Sequence, residues 1–339
     1  MNWNFRSLLV SLALPLAFVA SGLDKKPDAL DAKLRQQYVR PTTTPYPDED
    51  PYSAAKEALG RTLFFDPHLS GSETHSCATC HNPELSFSDH LPLAVGDAGR
   101  PMKVRSPTLL DVAFLDRFGW SGKFPTLEKV SFAPIMAAGN LNLTEPVLIA
   151  RLSAMPVYVQ AFAAAFPDRK IDRENISMAL ATYVRSIRSN LAPFDRWIMG
   201  DESAISPAAK HGFAIFNGKG NCSGCHSGWA FTDGSFHDIG VAKGDDVGRG
   251  AFFKSSVKLR YAFKTPTLRN VAERGPYMHD GSVPTLDAVI DLYNRGGINR
   301  PSRSELIHPL GLTPEEKADL LAFLKTLSGE SDATSASAH

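Results

Sequence analysis

Two five-residue stretches can do chemistry that no other part of this chain offers. Cys77-Ala78-Thr79-Cys80-His81 and Cys222-Ser223-Gly224-Cys225-His226 repeat one pattern: two thiols three positions apart, followed directly by an imidazole. This is the form of a c-type haem attachment site, in which the thiols add across the haem vinyl groups and the histidine reaches the iron. The chain has four cysteines, and the two motifs use all of them. Paired CxxC sequences also build four-cysteine zinc sites, but those pairs sit about 15–20 residues apart. Here residues 81–221 lie between the pairs. A dithiol redox pair or a set of disulfides has no use for the trailing histidine. The expectation is two covalently bound haem c groups, held by Cys77, Cys80, His81, Cys222, Cys225 and His226, with His81 and His226 as iron ligands.

Such motifs need an export route, and the N-terminus supplies one. Residues 1–22 read as a signal peptide, with Arg6 in a positive n-region, an apolar run from Leu8 to Ala20 broken by Pro15, and small residues at Ala20, Ser21 and Gly22. The run is too short to span a bilayer. Cleavage is expected near Gly22–Leu23, and no cysteine follows to take a lipid anchor. Covalent haem c is attached outside the bacterial cytoplasm, so the expected location is periplasmic, with no stable membrane insertion after cleavage; an uncleaved anchor is the competing reading. Lys+Arg and Asp+Glu number 36 each, and no block of like charge stands out. That balance invites neither nucleic acid nor an anionic membrane surface.

The elements that must position the motifs are helices. With 339 residues the chain is long enough for two domains. The reading is mainly α: two c-type cytochrome domains packed together with long loops. An extended N-terminal segment covers 23–52 and includes Pro41-Thr42-Thr43-Thr44-Pro45. A first haem domain covers 53–200, a second covers 201–329, and a disordered polar tail covers 330–339. Apolar spacing predicts helices over Ser53–Phe65, from Thr144 through to Phe166, and over Asp172–Ser189. Ser206-Pro207 starts the helix leading into the second motif. Thr313-Pro314-Glu315-Glu316 is a capping box, and Gly329 is expected to close its helix. Val283–Arg295 reads as a helix beginning near Pro284, with Leu286, Val289, Ile290 and Tyr293 on one inward face.

Several ordered pieces carry a family resemblance: Leu59-Gly60-Arg61-x-Leu63-Phe64-Phe65-Asp66, Ser76 to His81, Ser106-Pro107-Thr108-Leu109 and Phe118-Gly119-Trp120-Ser121-Gly122-Lys123. Further on come Phe236-His237-Asp238-Ile239-Gly240, Thr265 to Val271 and Gly275-Pro276-Tyr277-Met278-His279-Asp280-Gly281. From about Ala54 to Ser328 the chain resembles the bacterial dihaem cytochrome c peroxidases, and more closely their MauG-type branch. The resemblance implies a peroxide site at the His81 haem and a six-coordinate electron-transfer haem at His226. Classical members use Met as the second ligand there. The MauG-type pattern implies Tyr293, while an ordinary core Tyr and ligation by Met278 stay open. Trp120 matches the tryptophan between the haems, with a buried core Trp as the alternative; Ser121 and Lys123 stand where the family has Asp and Arg. Asn140 stands where the family places an acid–base Glu at the peroxide face. An amide can hydrogen-bond peroxide but cannot shuttle its proton, so Glu145 or a water chain would take that role, or peroxide chemistry would be slow. Trp120 and Asn140 are thus the candidate catalytic residues.

The first haem is expected to be open on its distal side, since neither Met102 nor His90 sits convincingly, and His75 and His90 read as loop residues. The resemblance also implies calcium between the haems, bound by carbonyls at Arg274 and Pro276. Arg105 stands at the Asn ligand position and cannot coordinate a cation, which makes calcium a doubtful cofactor; its guanidinium is the candidate substitute for the ion's charge. The implied activity is a dihaem oxidoreductase that reacts with hydrogen peroxide at the His81 haem and transfers electrons through Trp120 to the His226/Tyr293 haem. It would oxidise a protein substrate or a protein electron donor at the outer surface. A classical peroxidase fed by a small cytochrome and a non-enzymatic dihaem carrier or sensor are the alternatives, the latter motivated by the missing Glu.

Overall fold

Six of the described helices start at a side-chain cap followed by residues that the helix buries. The computed structural model describes Met1, residues 32–97 and residues 99–329; the signal expected over 1–22 lies, apart from Met1, outside the described residues, as does the tail expected over 330–339. Helix α1 is Ala32–Gln37, α2 is Ala54–Phe65, α3 is Cys77–Cys80 and α4 is Leu127–Met136. Then come α5 at Glu145–Ser153, α6 at Pro156–Ala165, α7 at Arg173–Ser186, α8 at Pro193–Ile198 and α9 at Pro207–Asn217. The last two are α10, Leu286–Arg295, and α11, Pro314–Lys325. Side-chain oxygens of Ser53, Thr126, Asp172, Ser206, Thr285 and Thr313 each accept a backbone N–H of the first turn they cap. Described strand is confined to β1, Phe236–His237, paired antiparallel with β2, Phe263–Lys264.

These elements make two cytochrome c-type domains. One core gathers Leu59, Leu63 and Phe64 of α2, Phe132 and Ile135 of α4, and Ile176 and Leu180 of α7. The other gathers Phe213 and Phe216 of α9, Leu286 and Ile290 of α10, and Leu320 and Phe323 of α11. The same crossing is built twice. Gly60 on α2 lies so close to α7 that an added Cβ would stand 1.9 Å from the Ala179 carbonyl oxygen. Gly212 on α9 meets α11 likewise, 2.0 Å from the Asp319 oxygen. Residues 105–136 also align without a gap on residues 264–295. Ser106-Pro107-Thr108-Leu109 falls on Thr265-Pro266-Thr267-Leu268, and the bridge Phe118–Phe124 falls on Tyr277–Val283. Left-handed backbone recurs in register at Asp111 and Asn270 and at Gly122 and Gly281.

The structure revises several element limits. The helix expected from Thr144 to Phe166 is two, α5 and α6, bent by 97°. Pro156 causes the break: it has no N–H to return to α5, and it drives Met155 into extended backbone. Helix α7 stops at Ser186, with Ile187 already extended. Helix α10 starts at Leu286 because Thr285, not Pro284, is the cap. Gly329 does not close α11, which ends at Lys325, but abuts Asn190. The segment expected to be extended over 23–52 contains α1 and plugs the second core with Tyr38, whose hydroxyl donates to Asn217 Oδ1 at 2.9 Å. No described helix is long and apolar enough by itself to cross a membrane.

A methyl at either crossing meets backbone that cannot yield without parting two helices. Gly60→Ala and Gly212→Ala are each expected to lower stability by about 3 kcal/mol, read as a fall in the denaturant midpoint of the haem-loaded protein.

Candidate functional site

Each cysteine pair is wound so that its histidine returns onto the first cysteine. In α3 the Thr79 hydroxyl accepts the Ser76 N–H at 3.0 Å, and the His81 N–H reaches the Cys77 carbonyl at 2.9 Å. Over Cys222–Gly224 a single 3₁₀ turn does the same, with the His226 N–H on the Cys222 carbonyl at 2.8 Å. No disulfide joins any of the four cysteines.

The orientation of both imidazoles is fixed by one recurring contact. His81 Nδ1 lies 3.3 Å from the Phe87 carbonyl oxygen, and His226 Nδ1 lies 2.9 Å from that of Phe231. A carbonyl only accepts, so Nδ1 carries the proton and Nε2 keeps its lone pair for a metal. Both phenylalanines are left-handed, with φ of 55° and 53°. That conformation is costly for a bulky residue. Here it turns the carbonyl inward. Burial holds both imidazole pKa values below their ordinary value, which keeps them in the neutral, ligating form.

The thiols and imidazoles open onto one cavity of about 460 Å³ whose walls run from one domain into the other. Trp120, Pro134, Asn140, Met102, Met278 and Tyr293 line it too. Free thiols beside a proton-fixed imidazole, set in a largely apolar cavity, are what two haem c groups require. Cys225, Asp233 and His237 also bring ligand atoms within 4.8 Å of one another, but Cys225 belongs to the motif that haem attachment would consume.

Trp120 sits at the seam between the domains. Its indole N–H donates to the Arg105 carbonyl at 2.9 Å, and its own carbonyl accepts the Lys264 N–H at 2.8 Å. Its alignment partner His279 lies edge-on, with ring centroids 6.4 Å apart, and is stacked on Phe263. Tyr293 lies on the α10 face that carries Leu286, Val289 and Ile290, all four lining the cavity. Burial raises its phenol pKa, and the nearby Cys222 and Cys225 sulfurs add to the rise. Its counterpart on α4 is Pro134, which offers no ligand atom. Asn140 follows α4, tied through its carbonyl to the Asp97 N–H at 2.6 Å.

The remaining candidates separate. Met102 lines the cavity, whereas His75 and His90 do not. Glu145 is absent from the lining and pairs with Arg173 at 3.4 Å, so it does not stand in for the missing Glu. Arg105 is buried, and its Nη2 donates to the Arg274 carbonyl at 2.8 Å and to Ser88 Oγ at 3.3 Å. Motif reading missed Pro134, Phe87 and Phe231. The internal repeat could have found Pro134, but nothing in the residue type of a phenylalanine announces an inward carbonyl.

Comparison with known proteins follows this division. A family model for dihaem cytochrome c peroxidase matches residues 54–203, and one for cytochrome c matches residues 209–328. The chain is 47% identical over 301 residues to the methylamine utilization protein MauG of Methylorubrum extorquens, covering 88% of this chain and 85% of that one. It is 44% identical over 298 residues to the protein of the same name from Methylophilus methylotrophus, covering 87% and 89%. With the cytochrome-c peroxidase IdrP1 of Denitromonas iodatirespirans it shares 33% over 352 residues, covering 94% and 93%. Among solved structures, a MauG-like protein associated with microbial copper homeostasis superposes with a TM-score of 0.80 at 30% identity, covering 87% of this chain and 94% of that one.

Proposed function

The chain belongs to the dihaem cytochrome c peroxidase family and is a peroxidase-type oxidoreductase, and on that premise we propose that it consumes hydrogen peroxide at a haem held by Cys77, Cys80 and His81. Cys222, Cys225, His226 and Tyr293 would hold a second haem, and Trp120 would be the residue that couples it to the first. A protein substrate or protein donor gives up the electrons at the surface. The protein works in the periplasm after loss of residues 1–22, and its haem domains are 53–200 and 201–329. One observation carries this reading: the aligned pair Pro134 and Tyr293. One backbone plan is used twice: Tyr293 lies near the Cys222 and Cys225 sulfurs, and its repeat partner Pro134 lines the same cavity with a ring that has no donor or acceptor. On this reading the first centre would be open to a small oxidant and the second would be closed by Tyr293.

The haem pair supplies the iron redox chemistry that cleaves the peroxide O–O bond. The chain's residues set the conditions for it. Phe87 and Phe231 hold the neutral imidazoles by Nδ1 and so aim Nε2. Pro134 stands where the repeat has Tyr293 and would offer no ligand atom to a first haem. The Asn140 amide orients peroxide by hydrogen bonding but holds no transferable proton. Tyr293, if it held the second iron, would do so as the phenolate, an anionic oxygen donor that would favour the oxidised state over the reduced one. The Trp120 indole, fixed by the Arg105 carbonyl, lines the shared cavity and would lie between the two haems. A macromolecular substrate cannot enter the cavity, so its electrons must arrive through the protein surface. The Arg105 guanidinium takes the place of a calcium ion: it is a cation already bonded to the Arg274 carbonyl that the resemblance assigns to that ion.

The reading is tested by optical and EPR spectra of the haem-loaded protein before and after one equivalent of peroxide. A resting mixture of high-spin and low-spin signals that converts to a long-lived oxidised state is expected; two low-spin haems indifferent to peroxide mean an electron carrier. Tyr293→Phe should abolish the resting low-spin signal of the second haem, whereas an unchanged signal assigns that ligand to Met278. Asn140→Glu supplies the missing acid–base group, and stopped-flow mixing with peroxide should show an increase of about 100-fold in rate. Chelator treatment should leave the parent's peroxide reaction intact, while Arg105→Asn should make it depend on added calcium.

A further inference from the structure

The peroxide reading needs a surface at which electrons enter, and the loop between β1 and β2 has the features of one. Its first half holds Asp238, Asp245 and Asp246, but from Gly248 through β2 the chain carries Arg249, Lys254, Lys258, Arg260 and Lys264 and no Asp or Glu. On a chain whose formal net charge is zero this is a strong local excess. The basic residues are spaced among apolar ones, so no run of like charge shows in the sequence. Three of those apolar side chains face outward: Phe252, Phe253 and Val257 are 50%, 45% and 59% exposed. Lys254, Lys258 and Arg260 are exposed beside them. Lys258 meets Glu305 at 3.5 Å with both side chains almost fully solvated, a pairing worth little. Lys254 and Arg260 have no carboxylate partner among the described residues. Arg117 and Lys123, both exposed, flank the same side: the Arg117 carbonyl accepts from Lys264 Nζ at 3.0 Å, and the Arg117 charge acts on Arg249.

This loop is bolted to the turn that holds Trp120. Arg249 Nη1 donates to the Ser121 carbonyl at 3.0 Å and the Gly122 carbonyl at 3.2 Å. Its guanidinium lies over the Phe236 ring at 3.9 Å and the Phe253 ring at 5.1 Å. The Lys264 N–H closes the other end on the Trp120 carbonyl. Contacts therefore run without a break from exposed Phe253 through Arg249 to the Trp120 turn. Exposed aromatics ringed by solvated cations are the composition of a protein interface with an apolar centre and a charged rim.

We infer that the face formed by Phe252, Phe253, Val257, Lys254, Lys258 and Arg260 docks an acidic redox protein, which hands electrons to the haem pair beside Trp120. This rests on the peroxide reading above. Each turnover, H2O2 + 2 H⁺ + 2 e⁻ → 2 H2O, draws two electrons, one from each of two reduced partner molecules, which leave oxidised by one electron.

The test uses the haem-loaded protein with two reduced probes, the acidic copper protein plastocyanin and a basic mitochondrial-type cytochrome c. Reaction with peroxide alone is followed first, in every variant; failure there sinks the peroxide reading itself. Probe oxidation is followed second. The parent should oxidise plastocyanin with a rate constant that falls as salt is raised. The triple variant Lys254→Glu/Lys258→Glu/Arg260→Glu should be at least about tenfold slower while keeping the parent's haem spectra and peroxide reaction. Phe252→Ser/Phe253→Ser should also slow it. Lys129→Glu/Lys170→Glu/Lys325→Glu, an equal charge change elsewhere, should stay within about twofold of the parent. The inference is overturned by a salt-independent rate, by equal losses in the two triple variants, by no oxidation of plastocyanin, or by faster reaction with the basic probe. It is equally overturned if sedimentation shows the parent to be a dimer that the first triple variant dissolves, which makes a second copy the occupant.

Discussion

A carbonyl oxygen held against an imidazole Nδ1 is the interaction on which the rest of this structure depends. The motif turn alone places His81 and His226 near their cysteines, but it does not decide which ring nitrogen faces the cavity. The Phe87 and Phe231 carbonyls decide it, and they point inward only because both residues sit in left-handed backbone. That conformation is stabilised by short turns, with the Phe87 N–H on the Asn82 carbonyl at 2.8 Å and the Phe231 N–H on the Gly228 carbonyl at 3.0 Å. The loops after the motifs are therefore the parts that make a haem-binding sequence into a ligating geometry.

Duplication then makes asymmetry possible. The gapless match of residues 105–136 on 264–295 means that equivalent positions face equivalent volumes. Small substitutions within that frame separate the two centres: Pro134 against Tyr293, Trp120 against His279. Pro134 is tolerated near the end of α4 because only one helical hydrogen bond is lost there. The close helix crossings at Gly60 and Gly212 recur in both domains, so the aligned positions differ in side chain within a shared plan.

The seam between the domains is built largely from backbone groups. The Arg105 carbonyl holds the Trp120 indole while the same residue's guanidinium reaches the Arg274 carbonyl across the seam. One residue thus ties the putting-together of the domains to the placement of the indole. A buried guanidinium with one carbonyl and one hydroxyl acceptor is a fixed cation that cannot dissociate, unlike a bound ion. Lys264 and Arg249 repeat the device from the other side, each donating to carbonyls of the Trp120 turn.

Covalent chemistry and local capping were legible in the residues alone. Two CxxCH motifs with no cysteine left over name the prosthetic group, because thioether formation and ligation need those atoms at that spacing. Ser206, Thr313 and Glu316 announce their helix starts because a side-chain cap acts within one turn. The inward stripe of Leu286, Val289, Ile290 and Tyr293 follows from helical period. Other features depend on segments far apart in sequence, and local pattern does not contain them. The split of α5 from α6 was written in Pro156 but hidden by a continuous apolar run. The reach of Arg105 to Arg274, the exclusion of Glu145 from the cavity by its pairing with Arg173, and the gathering of spaced cations around Phe252 and Phe253 were decided only by the tertiary structure. Each depends on which surfaces two packed domains bring together, and a burial or a charge pairing has no existence until that packing is set.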